Sequence, residues 1–81
     1  MPESGLIVQM AQIEALERAI IGLQQSVAVS LRAARESRSL SLRDVAPHVG
    51  LTAAALHNLE RGKSWRTPSA RRVAEYYDRA A

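Results

Sequence analysis

The chain has no cysteine and no phenylalanine, and its only aromatic residues are Trp65, Tyr76 and Tyr77. Without cysteine there is no disulfide framework, no thiolate metal ligand and no thiol nucleophile. Because large aromatic side chains are so scarce among 81 residues, the core must be built from Leu, Val, Ile and Ala. Such a core favours packed helices over a sheet, and we therefore expect a small all-α protein.

A long uninterrupted apolar run is also missing. The most apolar stretch, residues 6–23, contains glutamine, glutamate and arginine side chains and is too polar to span a bilayer. The N-terminus has neither the basic region nor the cleavage site of a secretory signal. These absences predict a cytoplasmic protein that has no membrane partner.

Groups of residues typical of catalysis are lacking as well. No combination of histidine, acid and nucleophile suggests a catalytic site, and there is no glycine-rich phosphate loop. His48 and His57 lie nine residues apart, with no third ligand at helical spacing. We therefore expect no enzymatic activity, no metal site and no cofactor.

What the chain does contain is a pair of short helical patterns between Ser41 and Gly62. Ser41 is placed to N-cap the first helix, with Asp44 three residues later completing a capping box. Gly50 suits the left-handed backbone of a sharp turn. Thr52 is placed to cap the second helix, which ends at Gly62. Two short helices joined by a glycine turn are typical of a helix-turn-helix.

Further helical patterns flank this motif. Downstream, Thr67 and Pro68 predict the start of a last helix, with Thr67 as its N-cap. Upstream, an apolar stripe at helical spacing predicts a helix over about residues 6–37. Gly22 weakens this helix, so a kink or break is expected between Gly22 and Ser26.

The net charge of +3 is unevenly distributed along the chain. Residues 1–25 carry one basic and three acidic side chains, whereas residues 26–81 carry ten basic and five acidic ones. We therefore divide the chain into an N-terminal amphipathic helix, residues 1–25, and a helix-turn-helix domain, residues 26–81. A basic domain of this kind suggests a polyanionic partner, although a merely solvated basic surface has the same charge.

The run LSLRDVAPHVGLTAAALHNLERGKS combines Ala46, Gly50 and Leu56 with the sequence ERGK at residues 60–63. In this combination, residues 26–81 resemble the lambda-repressor-like helix-turn-helix domains of phage repressors, Cro proteins and many bacterial regulators and antitoxins. The resemblance implies a five-helix bundle, here preceded by the extra N-terminal helix. It also implies that the third helix of the bundle, residues 52–61, enters the major groove of double-stranded DNA.

The resemblance implies specific contacts as well. The residues expected to contact bases are Thr52, Ala53, Ala54, His57 and Asn58. The residues expected to contact phosphates are Arg43, Lys63, Trp65 and Arg66. For Trp65, two positions remain open: on a sugar-phosphate edge, or closing the core beneath the loop. The family often joins the positions of Arg35 and Glu60 by a salt bridge, and this chain has both residues.

Three departures from the family pattern matter. Leu42 stands where the family often has a phosphate-binding glutamine, so that contact is lost or moved to Arg43. Pro47 is expected to bend or shorten the second helix. The alanines at 53–55 replace long base-reading side chains, and an alanine can contact only a thymine methyl group. Either the protein reads few bases and relies on backbone contacts and DNA shape, or it does not read DNA.

The N-terminal helix has an apolar stripe formed by Leu6, Met10, Ile13, Leu16, Ile20 and Leu23. So much apolar surface must meet the domain, a second copy or another protein. We expect a homodimer formed through a short helix–helix interface, since only Leu6, Ile13, Ile20 and Val27 keep a heptad spacing. The chain is then a dimeric, repressor-like transcriptional regulator. The alternative is an antitoxin or protein-interaction module whose apolar helix binds a toxin or another regulator.

Overall fold

The computed structural model describes residues 2–80, and the side chains of residues 5–79. Over these residues the ordered elements are all helical: α1 (Pro2–Ser37), α2 (Leu42–Val45), a 3₁₀ helix (Ala46–Val49), α3 (Ala53–Glu60) and α4 (Thr67–Ala80). The all-α class is confirmed. The expected five-helix bundle with a further helix before it is wrong, because the described part of the chain contains four α-helices and α1 serves as both the N-terminal helix and the first helix of the domain.

α1 is one uninterrupted helix of 36 residues. The expected break between Gly22 and Ser26 is absent, and the helix begins at Pro2 rather than near residue 6. Gly22 lies in open space, and one glycine costs only about 1 kcal/mol relative to alanine, too little to interrupt a helix that continues on both sides. α1 also gives the molecule its long axis, since the molecule measures 57 × 22 × 17 Å.

The buried core lies within the helix-turn-helix part of the chain. α2 and the 3₁₀ helix pack against α3 and α4, and the last turns of α1 close the bundle. Its buried apolar residues are Ala28, Leu31, Val45, Ala46, Val49, Leu56, Leu59, Ala70, Val73 and Tyr77. By contrast, the large apolar side chains of α1 that precede Ala28 are exposed. The N-terminal part of α1 therefore does not fold back on its own domain.

Local capping fixes α2. Ser41 Oγ accepts a hydrogen bond from the Asp44 N–H at 3.0 Å, and an Asp44 carboxylate oxygen accepts one from the Ser41 N–H at 2.8 Å. The predicted capping box is therefore confirmed, and the backbone hydrogen bond from Ser41 lowers the pKa of Asp44. The effect predicted for Pro47 is also confirmed, because α2 ends at Val45 and Pro47 lies in a 3₁₀ helix.

The start of α4 differs by one position from the prediction. The Ala70 N–H donates to the Arg66 carbonyl at 3.0 Å, so Arg66, rather than Thr67, precedes the first turn. The Thr67 hydroxyl instead accepts a hydrogen bond from the indole N–H of Trp65 at 3.1 Å. Thr67 is itself the first residue of α4 and is therefore not its N-cap.

A buried ion pair ties α1 to α3. Arg35 Nε and Nη2 donate to the two carboxylate oxygens of Glu60 at 2.8 and 2.9 Å, and Arg35 Nη1 donates to the Leu40 carbonyl. The side chains of Arg35 and Glu60 are 14% and 2% exposed. The predicted salt bridge is present, and its hydrogen bonds raise the pKa of Arg35.

Candidate nucleic-acid interface

The turn before α3 sets the direction of that helix. Gly50 adopts φ 67° and ψ 31°, in the left-handed region that glycine occupies without strain. The Leu51 N–H then donates to the Ala46 carbonyl at 3.0 Å, and Thr52 Oγ1 accepts from the Ala55 N–H at 3.0 Å. The turn predicted at Gly50 and the N-cap predicted at Thr52 are confirmed, and α3 leaves the turn with a capped N-terminus.

The end of α3 is fixed by backbone hydrogen bonds. The Asn58 carbonyl accepts from the Arg61 N–H at 3.2 Å and from the Lys63 N–H at 2.8 Å. The Gly62 N–H donates to the Leu59 carbonyl, and Gly62 has φ 70°. This left-handed residue ends the helix and turns the chain back, so that Lys63 lies beside the last turn of α3.

One face of α3 is turned away from the core. Leu56, Leu59 and Glu60 are buried, whereas the predicted base-contacting residues are exposed or partly buried. Thr52, Ala54 and His57 are exposed; Ala53 and Asn58 are partly buried. His57 Nε2 lies 3.5 Å from Arg61 Nη1. The structure thus places four of these residues on α3 and Thr52 at its N-cap, and their contacts with DNA stay predictions.

A groove of about 400 Å³ runs between α3, the following loop and the start of α4. It brings two predicted contact residues, Asn58 and Arg66, to the same surface. Ser69 and Arg72 of α4 line the same groove, with Arg72 Nη2 3.4 Å from Ser69 Oγ. Sequence reasoning missed Arg72, because its place at this groove depends on how α4 packs against the turn and α3 rather than on a local pattern.

The other predicted phosphate contacts lie outside this groove. Arg43 is exposed on α2, whereas its neighbour Leu42 packs against the core. Lys63 is exposed in the loop after α3. Trp65 is partly buried and packs against the core, and its indole N–H is bonded to Thr67. Trp65 thus closes the core beneath the loop, and its predicted contact with a phosphate stays a prediction.

A second, more open groove of about 610 Å³ follows the turn and α4. His48 stacks on Tyr76 there, with ring centroids 5.5 Å apart. Arg72 and Arg79 line the groove, and Arg72 Nη1 lies 3.8 Å from the point where a Cβ on Gly50 would stand. Glu75 also lines this groove, with a carboxylate oxygen 3.6 Å from Arg79 Nη2, and Arg72 is the arginine that borders both grooves.

The short helical segments before and after the left-handed Gly50 have the geometry of a helix-turn-helix domain. A family model described as a helix-turn-helix domain matches residues 26–80, and the chain belongs to this family. The predicted resemblance is therefore confirmed, and the family is that of DNA-binding domains that are typically not enzymes. Comparisons with curated proteins and with solved structures gave no match. Within residues 2–80, no helix is long and apolar enough to cross a membrane.

Proposed function

We propose that this protein is a sequence-specific, DNA-binding transcriptional regulator that acts as a dimer, with residues 52–61 in the major groove. The observation that carries the proposal is the exposed outer face of α3 beside the basic groove lined by Arg66 and Arg72. A helix held in this way by a helix-turn-helix reads the edges of base pairs in the major groove.

The outer face of α3 can approach the DNA bases closely but carries few side chains that could contact them. The small side chains of Ala53 and Ala54 allow the helix backbone to lie near the bases and give methyl contacts to thymine. The Asn58 amide matches the N6 and N7 edge of adenine. With so few reading side chains, much of the selectivity comes from phosphate contacts and sequence-dependent DNA shape.

Phosphates are bound by cations around α3. Arg43, Lys63 and Arg66 are exposed on the elements before and after this helix. Arg72 adds a fourth cation at the edge of the same groove. The positive end of the α3 helix dipole favours an anion at the turn. Together these groups supply most of the affinity and make it dependent on salt.

Dimer formation joins two such weak half-sites on one DNA duplex. The exposed apolar stripe on α1 supports this role, because a monomer would leave a large apolar surface in water. A dimer that occupies an operator blocks the polymerase, which gives a repressor. The alternative, an antitoxin or interaction module, uses the same stripe to cover a different protein.

Salt dependence tests the phosphate contacts directly. Binding of the full chain to a fluorescent duplex of random sequence is measured by anisotropy between 50 and 200 mM salt, a range over which counterion release changes affinity by about 10³–10⁵ for six to ten contacts. Lys63→Ala and Arg66→Ala are each expected to weaken binding to all sequences and to lower the salt slope by about 1.

Arg18→Ala is the matched control, because Arg18 is an exposed arginine on α1 outside the domain. It is expected to leave the slope unchanged. Equal slopes for all three variants and the wild type would contradict the proposed phosphate contacts, and an absence of binding would contradict the DNA-binding function.

A further inference from the structure

The exposed face of α1 carries a heptad pattern. Residues that repeat every seven positions define position a: Leu6, Ile13, Ile20 and Val27. Leu16 and Leu23 lie three residues after Ile13 and Ile20, are themselves seven residues apart, and take position d. The heptad spacing therefore extends beyond position a, which the expected short helix–helix interface did not take into account. The pattern therefore alternates β-branched residues at a with leucine at d over its central turns.

These side chains are free along the whole stripe up to the edge of the domain. Ile13, Leu16, Ile20 and Leu23 are 48–66% exposed, and Val27 is still 41% exposed. One turn further, Leu31 is 5% exposed and belongs to the core of the domain. The face formed by positions a and d thus extends over about 33 Å of helix, from residue 6 to residue 27, before it meets the core of the domain.

The domain covers a different side of α1. Ala28 is 1% exposed, and the Gln25 Cα lies 4.0 Å from where a Cβ on Gly62 would stand. Ala28 is rotated by about 100° from Val27 around the helix axis. The domain therefore leaves the a and d face of residues 6–27 open to another helix.

We propose that this face binds a second copy of the chain as a parallel, two-stranded coiled coil. The inference rests on the dimeric function proposed above and adds the orientation and register of the two α1 helices. Isoleucine or valine at a with leucine at d favours two parallel strands. In a parallel coiled coil, position g of one helix lies near position e five residues later on the other helix. This register places Gln12 of one copy beside Glu17 of the second copy, and no like charges meet.

The parallel orientation decides where the two domains stand. Because α1 continues unbroken from the heptad stripe into the core, both domains lie at the same end of the coiled coil. The Arg35–Glu60 pair then connects each α1 to its own α3. An antiparallel pair would instead hold the domains at opposite ends of the rod.

Ile20 and Ile21 offer a matched test of the heptad face. Both are 53% exposed and adjacent in sequence, but only Ile20 lies at position a. In sedimentation equilibrium on the full chain, Ile20→Glu is expected to weaken self-association by about 100-fold or more, since one buried isoleucine is lost from each helix. Ile21→Glu is expected to remain as dimeric as the wild type. A monomeric wild type, or equal effects of the two variants, would overturn the proposal.

Single cysteines test the orientation, because the chain has none of its own. Gln9→Cys and Leu23→Cys, each at position d, are oxidised separately without DNA. A parallel, in-register pair brings each position within reach of its own copy, so both variants are expected to form covalent dimers. An antiparallel pair lets at most one position along the helix meet its own copy.

Cross-linking at only one of these positions, or at neither, in a protein that sediments as a dimer would overturn the parallel orientation while leaving the dimer intact. Because neither experiment contains DNA, a failure of the DNA-binding function is read separately, in the salt-dependence measurement.

Discussion

At the scale of single residues, the ion pair between Arg35 and Glu60 joins α1 to α3 inside the domain. Its side chains are 14% and 2% exposed, so removal of one partner leaves the other charge buried. We expect Glu60→Ala or Arg35→Ala to lower the free energy of unfolding by about 3–5 kcal/mol. A double-mutant cycle measured by urea unfolding gives the coupling energy.

The exposed pair Arg32–Glu36 on α1 serves as the control, with side chains 60% and 54% exposed. Its coupling is expected to be about 0–1 kcal/mol. Coupling energies of equal size at the two sites would contradict the structural role of the buried pair.

Tyr77 presents a buried hydroxyl. The residue is 3% exposed, and its hydroxyl has no hydrogen-bond partner among the described residues. Because an unsatisfied buried polar group costs about 1–3 kcal/mol, Tyr77→Phe is expected to raise the free energy of unfolding by a similar amount. The partly buried neighbour provides the control: Tyr76→Phe is expected to change stability little.

The same residue gives a dependence on pH. Burial, and then the charge of Glu60, raise the pKa of Tyr77 above its ordinary value. Above about pH 10, the pKa of an exposed tyrosine, the unfolded chain therefore loses this proton before the folded protein does, and the free energy of unfolding falls as the pH rises from there to the folded-state value. Urea unfolding at alkaline pH measures this fall, which Tyr77→Phe is expected to reduce. A less stable variant, or an unchanged pH dependence, would contradict the buried hydroxyl.

At the scale of elements, the turn between α2 and α3 depends on the backbone of Gly50. A Cβ added there would meet only Arg72 Nη1, at an ordinary contact distance of 3.8 Å. The cost of Gly50→Ala therefore comes from the left-handed conformation, about 1–2 kcal/mol in thermal or urea unfolding. Gly22→Ala, in open space within a regular helix, is expected to cause no destabilisation. A Gly50→Ala protein as stable as the wild type would contradict this account of the turn.

The helical elements differ in how well the sequence predicted them. The capping box at Ser41, the turn at Gly50 and the cap at Thr52 were predicted correctly, because each depends on residues only a few positions apart. The break expected after Gly22 was wrong, because the low helix propensity of one glycine is outweighed by the cooperativity of a long helix.

The residues around the candidate site were predicted less completely. The cap of α4 was misplaced by one position, since Thr67 is already the first residue of the helix. Arg72 was missed, because its place between the two grooves depends on how α4 packs against the turn. The salt bridge between Arg35 and Glu60 joins positions 25 residues apart. The family resemblance indicated this pairing, whereas no local sequence pattern did.

At the scale of the whole molecule, one long helix has a buried part and an exposed part. Its C-terminal turns complete the core of the domain, and its exposed N-terminal turns are left for a partner. In the proposed dimer, the same helix therefore sets the distance between the two copies of α3.

The central claim, that this dimer reads DNA sequence through α3, is tested most directly by selecting bound duplexes from random DNA. The account predicts enrichment of an inverted repeat whose half-sites lie about 34–36 Å apart, or a multiple of that spacing. With Asn58→Ala, we expect the preference to relax at one base pair of each half-site, by about 1–3 kcal/mol, while the rest of the site is retained. No enriched sequence for the wild type, or an unchanged site for Asn58→Ala, would contradict sequence reading by this helix.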